Sequence, residues 1–220
     1  MDTQAHTFLF ADLVGFTALA EAEGDDRALE AVLALQRRVR DLLDDHAAEQ
    51  VKAIGDGLML RCLDPKAAVN LGLRVVEDLA NEGGVPPVRV GIHTGPALAR
   101  DGDWYGRTVN VAARLCAVAP GGEVMVSEST RSAAGDMPGV EWGARELHWL
   151  RNVSEPVATY LVAEREVSDL VTEREVSGRV TEREVSDRKT GRARTSRPAR
   201  WRDPCLGFLC LRNLTRELTG

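Results

Sequence analysis

The sequence predicts an α+β fold: a ferredoxin-like α/β sandwich with a C-terminal extension and a flexible tail. Three observations carry this expectation. Apolar runs and amphipathic stripes follow one another as strand, helices, hairpin, helix, strand, which is the order of that sandwich. Gly55-Asp56-Gly57 separates two apolar runs, a strong hairpin signal. Near residue 163 this alternation gives way to a short direct repeat, which marks the end of the folded body.

The elements are expected as follows. Thr7–Leu13 is short, apolar and Phe-rich, the pattern of a buried strand, and a short helix follows over Gly15–Glu23. Asp25–Glu49 reads as a long amphipathic helix with Leu29, Val32, Leu33, Gln36, Val39, Leu42 and Leu43 on one stripe and Asp25 or Asp26 as its cap. Gln50–Ile54 and Leu58–Cys62 form the hairpin. Pro65–Asn81 is a second amphipathic helix, with Ala68, Leu71, Val75 and Leu79 facing the core and Gly72 as its one weak position. Val88–Thr94 is a strand, Thr108–Val118 a helix stopped by Pro120-Gly121-Gly122, and Glu123–Val126 a strand. Trp142–Leu150 and Val157–Val162 close the sheet.

One consequence of this order bears on function. If the first strand runs antiparallel to the second hairpin strand, its C-terminal end lies beside the hairpin turn. Asp12 ends that strand and Asp56 occupies that turn, so two carboxylates far apart in sequence meet at one edge of the sheet.

Residues 1–162 form the expected folded domain and 163–220 a basic tail. The body holds fifteen Lys and Arg against twenty-four Asp and Glu, a charge of −9, and the tail thirteen against ten, a charge of +3. An acidic body argues against sequence-independent nucleic-acid binding, which needs a basic footprint. The tail opens with three copies of a nine-residue unit (AEREVSDLV, TEREVSGRV, TEREVSDRK), too short to stack into a solenoid. Seven basic residues and no acid then occupy 188–202. No stretch reaches the roughly 18–20 apolar residues of a membrane span, and the start of the chain lacks a signal-peptide pattern. Cys62, Cys116, Cys205 and Cys210 show no CxxC pairing. Free thiols and a cytoplasmic location are therefore expected.

Four segments carry the chemistry: FLFADLVGFT (8–17), VKAIGDGLM (51–59), VGIHTGP (90–96) and YGRTVNVAARL (105–115). In this order and spacing they resemble the signatures of class III nucleotidyl cyclases, the adenylate and guanylate cyclase catalytic domains, over roughly residues 6–162. The resemblance implies a homodimer that converts a nucleoside triphosphate to a 3′,5′-cyclic monophosphate and pyrophosphate.

Asp12 and Asp56 match the family's two metal-binding aspartates, with the backbone carbonyl of Leu13 as a further ligand. Alone, each reads as a helix cap or a turn residue; two together supply the hard oxygen donors that two Mg²⁺ or Mn²⁺ ions need beside phosphate oxygens. Asn110 and Arg114, four apart on one helix face, match the residues that hold the ribose and the phosphate in the transition state. A fixed guanidinium fork suits phosphate oxygens on which charge redistributes. Lys52 and Asp103 match the purine-selecting pair. Adenine offers an N6 donor to Asp103 and a ring acceptor to Lys52, and guanine reverses that pattern, so ATP is the expected substrate. Only six residues separate Pro96 from Asp103, a shorter arm than is usual in the family, which exposes Asp103 to displacement; Trp104 beside it is also unusual. Arg151 stands where the family often has a Lys that contacts the triphosphate. His93 reads as a structural histidine.

The resemblance further implies that each active site is shared, with Asp12 and Asp56 from one subunit and Lys52, Asp103, Asn110 and Arg114 from the other. Three other readings fit parts of the pattern. A guanylate or mixed-specificity cyclase is opposed by Lys52 and Asp103. A non-catalytic ATP-sensing module of the same fold would bind without turnover. A diguanylate cyclase lacks the Asn-x-x-x-Arg helix.

Overall fold

The computed structural model describes residues 4–165. Most of the repeat and all of the basic stretch expected in the tail lie outside the described residues. The chain runs β1 (Ala5–Leu13), α1 (Phe16–Glu23), α2 (Asp25–Leu43), β2 (Ala48–Ile54), β3 (Gly57–Cys62), α3 (Pro65–Ala80), β4 (Val88–Pro96), β5 (Leu98–Arg100), β6 (Asp103–Tyr105), α4 (Arg107–Val118), β7 (Val124–Ser127), α5 (Glu128–Ala134), β8 (Val140–Trp142), β9 (Glu146–His148) and β10 (Val157–Glu164). Eight strands form one sheet in the order β2-β3-β1-β4-β7-β10-β8, with β9 also paired to β10; β5 and β6 form a separate two-stranded ribbon. All neighbours are antiparallel except β4 and β7. The α+β class and the strand–helix–hairpin order stand as expected from the sequence.

Period-two alternation along β1 sorts its side chains between two layers. Leu9, Ala11 and Leu13 join a core built with α2, α3 and α5, where Leu35, Val39, Leu71, Val75 and Ala134 pack. Phe8 and Phe10 face the other way, into a cluster with Met59, Ala97, Trp104, Val109 and Ala112 beneath α4. Asp12 continues the Phe8–Phe10 row. On β4 the partners of Phe8, Phe10 and Asp12 are His93, Gly91 and Arg89. The α4 side of the sheet is therefore apolar at one end and charged at the other.

Gly91 makes that layer close. A Cβ added there would fall inside the main chain of Cys116 on α4, so only glycine lets the helix lie down on β4. Gly91→Ala is expected to push α4 off the sheet and to destabilise the protein by about 3 kcal/mol, the upper range of overpacking. A urea unfolding midpoint close to that of wild type would overturn this. On the opposite layer Gly72 plays a milder version of the same part, since its absent Cβ would meet Ile92, Val90 and Val124 at 3.2–3.3 Å. The weak helical position in the sequence is a packing requirement. Asp64 caps α3 by accepting from the Lys66 N–H at 2.9 Å, with Pro65 in the first turn.

Helix α2 corrects the sequence reading in three ways. It stops at Leu43 and not at Glu49: Asp44–His46 tighten into a 3₁₀ turn, His46 Nδ1 donates to the Leu42 carbonyl at 2.8 Å, and Ala47 takes a left-handed φ of 45°. Two aspartates at the negative end of the helix dipole oppose its continuation, and residues 48–49 are claimed by pairing with Cys62 and Arg61. The expected Asp25 or Asp26 cap is not used. Gly24, at φ 90°, joins α1 to α2 directly, and the two aspartates sit in the first turn. The buried face is Ala28, Ala31, Ala34, Leu35, Val39 and Leu42, while Leu29 and Leu33 point to solvent. Alanines fill this face, where α2 packs closely against the neighbouring helices α1 and α3.

The C-terminal unit also differs in detail. The expected strand over 142–150 is two three-residue strands, β8 and β9, and the closing strand extends through Glu164. Helix α5, which the sequence reading did not identify, is capped by Ser127, whose Oγ accepts from the Thr130 N–H.

Candidate active site

The antiparallel pairing of β1 with β3 places Ala11 opposite Leu58, so the end of β1 lies against the Gly55–Asp56 turn. A Cβ on Gly57 would sit 3.0 Å from the Ala11 carbonyl oxygen and 3.1 Å from Asp12 Oδ1. Asp12 and Asp56 thus converge, as their positions in sequence suggested. Burial, with the negative charge of Asp12 adding to it, holds the Asp56 carboxyl above the ordinary carboxylate range. Leu13 buries its side chain in the opposite layer, which leaves only its main chain for this edge.

Asp12 lines a cavity of about 250 Å³ together with Phe10, Arg89, Ala113 and Ala117, and the residues on either side of the Gly55–Asp56 turn, Ile54 and Gly57, border it. Among the described residues no group of three or more His, Cys, Asp or Glu side chains converges. The donor set is thus two carboxylates whose charges repel. That set suits Mg²⁺ or Mn²⁺, which take one or two protein carboxylates and complete their shells with phosphate oxygens and water.

Arg89 is the residue the sequence reading missed. From β4 its Nε and Nη2 both donate to Asp12 Oδ2, at 3.0 and 2.5 Å, while its Nη1 donates to the Ala117 carbonyl at 3.0 Å. The signal was a lone charge in an apolar strand, and only the β1–β4 register shows that it faces Asp12.

Lys52 and Asp103 meet in spite of the short arm. Leu98–Arg100 pairs with Asp103–Tyr105, and Asp101 and Gly102 turn between them with φ of 53° and 78°, the tight hairpin geometry of a two-residue loop. Lys52 Nζ lies 2.5 Å from Asp103 Oδ2, and the Trp104 N–H donates to Oδ1 at 2.8 Å. The Lys52 ammonium, aided by that N–H, holds the Asp103 carboxyl below the usual range. Trp104 anchors the ribbon: its ring packs 4.4 Å from His6 and 5.6 Å from Phe8, under the Arg61 guanidinium. Arg61 is held in turn by Glu49.

Asn110 and Arg114 lie on the exposed side of α4. Neither side chain takes part in a hydrogen bond or ion pair to another site residue among the described residues. Thr108 fixes the start of this helix by donating to the Pro96 carbonyl at 2.6 Å. Arg151 is exposed in the turn between β9 and β10, and the structure does not bring it into contact with the other candidates. His93 has a structural environment. Its Nδ1 bonds the Ser127 hydroxyl at 2.8 Å, and burial, with a contribution from the Arg107 charge, pushes the imidazole down to about 4. Cys62 and Cys116 are free and buried, and burial pushes both thiols up to about 12. No helix among the described residues is long and apolar enough to cross a membrane.

The chain is 40% identical over 154 residues to a pH-sensitive adenylate cyclase of Mycobacterium tuberculosis (strain CDC 1551 / Oshkosh), covering 66% of this chain and 38% of that protein. It is 38% identical over 117 residues to an adenylate cyclase of Streptomyces griseus, covering 53% of this chain and 29% of the relative. The chain thus spans roughly a third of the length of these relatives. Among solved structures, one of the adenylate cyclases of Trypanosoma brucei in their monomeric state superposes with a TM-score of 0.64 at 28% identity, over 73% of this chain and 88% of that one. Residues 2–164 match the model of the adenylate and guanylate cyclase catalytic domain, and the chain belongs to that family.

Proposed function

We propose that the protein is an adenylate cyclase that converts ATP to 3′,5′-cyclic AMP and pyrophosphate at sites shared between two copies of the chain. The observation that carries this reading is the convergence of Asp12 and Asp56 at the charged end of the α4 layer, beside a cavity.

Asp12 and Asp56, with the Leu13 main chain, would hold two divalent cations. When bound, such ions supply Lewis acidity toward the ribose 3′-hydroxyl and the phosphates. The remaining work falls to side chains. Lys52 and Asp103 already face each other as a donor–acceptor pair, which fits the adenine edge and not the guanine edge. Asn110 would orient the ribose, and Arg114 would donate to phosphate oxygens as the 3′-oxygen attacks the α-phosphorus in line and pyrophosphate leaves. Positioning and charge neutralisation then supply most of the barrier reduction. Arg151 would reach the triphosphate from the β9–β10 turn.

Two features support a second copy. Asn110 and Arg114 project from α4 without partners at the site in their own chain. Ile54, Leu98, Tyr105 and Val118 expose large apolar side chains on the β2–β3 hairpin, the ribbon and the end of α4, the elements that carry the candidate residues. A homodimer through this face would complete two equivalent sites.

The direct test is incubation with ATP and Mn²⁺ or Mg²⁺, with cyclic AMP measured by chromatography. Cyclic AMP is expected with either metal and none with a chelator. Metal-dependent ATP binding without turnover would replace this reading with that of a nucleotide-sensing module.

A further inference from the structure

Arg89 offers an inference that rests on the metal-binding reading of Asp12. Its guanidinium places two donors on the same oxygen, Asp12 Oδ2, at 3.0 and 2.5 Å. The other oxygen, Oδ1, lies toward Gly57 at the end of the β2–β3 turn. The carboxylate is thus divided: one oxygen is taken by a fixed positive charge and one lies toward the turn that carries Asp56. Asp12 and Arg89 are direct register partners on adjacent central strands, so the pairing is built into the sheet. Arg89 also has a second acceptor in the Ala117 carbonyl near the C-terminal end of α4, where a helix favours positive charge. A guanidinium that leaves Oδ2 therefore keeps a partner.

We propose that Arg89 is a resident counter-charge on Asp12 that competes with divalent cations, so that one cation can reach Oδ1 with Arg89 in place but full use of the carboxylate requires Arg89 to withdraw toward Ala117. Removal of the guanidinium should then strengthen cation binding. A bidentate charge-assisted contact to a partly exposed carboxylate, discounted for solvent, corresponds to about a ten-fold change in affinity. If Arg89 instead only orients Asp12 as a ligand, its loss should weaken binding, as loss of groups that hydrogen-bond to metal ligands generally does.

The experiment is titration of the full chain with Mn²⁺ alone, without nucleotide, followed by electron paramagnetic resonance of the free ion. Wild type, Arg89→Gln, Arg89→Lys and Asp12→Asn are compared, with circular dichroism confirming the fold of each. Arg89→Gln is expected to bind Mn²⁺ about ten-fold more tightly. Arg89→Lys, which keeps the charge but loses the fork, should fall between it and wild type, and it carries the test if the Gln variant does not fold. Unchanged or weaker binding in a folded Arg89 variant overturns the counter-charge, even where Asp12→Asn abolishes binding and so upholds the metal site. Equal Mn²⁺ binding by wild type and Asp12→Asn overturns both.

Discussion

Arg114→Ala should lose cyclase activity by about 10²–10³-fold, the cost of removing a single transition-state donor. Asp12→Ala, which removes a carboxylate proposed to hold a cation, should lose at least as much, and the two proteins should recover activity when mixed. The expectation follows from where the two residues lie. Asp12 sits at the end of a central strand, beside the β2–β3 turn. Arg114 stands on the exposed side of α4 with no partner at that edge in its own chain. If one copy supplies the carboxylates and the other the guanidinium, a mixed dimer contains one site with both residues intact and one with neither. Random exchange of equal amounts puts half the protein in mixed dimers, so about a quarter of wild-type activity should return. The measurement is cyclic AMP production after co-incubation, with dimers confirmed by sedimentation. Dimers that form without recovery would rule out the shared site. Recovery well above a quarter would imply exchange that is not random.

The second large effect concerns the purine. In Lys52→Glu/Asp103→Cys the ammonium donor becomes an acceptor and the carboxylate acceptor becomes a weak donor. The rate with ATP is expected to fall by 10² or more, because a site built around hydrogen bonds strongly rejects a ligand that leaves them unpaired. GTP should become the better substrate. The double change matters because the two residues hold each other at 2.5 Å; replacing one alone strands the other and confounds selectivity with a loose ribbon. Comparison of kcat/KM for the two nucleotides decides the matter, and a variant that still prefers ATP would place purine selection elsewhere.

Much of this arrangement could be read in advance, and the failures have physical causes. The meeting of Asp12 and Asp56 was legible because strand alternation and a Gly-flanked turn are local signals that fix a register once the strands pair. The pairing of Lys52 with Asp103 was only partly so. The short arm raised doubt because three-residue strands carry no periodicity, and Asp101-Gly102 had to be recognised as a hairpin turn on its own. The end of α2 was misplaced because no Gly or Pro stands between Leu43 and Glu49; the helix yields there to the β2–β3 pairing, a contact remote in sequence. Leu29 and Leu33 dominate the stripe in the sequence because large apolar side chains weigh most there, whereas the face that packs against the neighbouring helices is Ala28, Ala31 and Ala34 with Leu35 and Val39. Arg89 was invisible for a different reason. A single arginine in VRVGIHTG is an ordinary strand residue until the opposite strand shows it an aspartate.

The sheet order carries a dynamic consequence. β1 pairs with β4 along its whole length and with β3 from Thr7 to Ala11, whereas the ribbon that carries Asp103 pairs only with itself and is held by the Trp104 packing and the Lys52–Asp103 ion pair. Amide protons on β1 should exchange only through opening of the whole domain, and those of the ribbon through local fraying. Asp12 is thus mounted on one of the least yielding parts of the fold, whereas Asp56 sits in the turn at the edge of the sheet and Asp103 on the more yielding ribbon. Under the proposed function, drift in the ribbon would move the purine contact of Asp103 while leaving Asp12 in place.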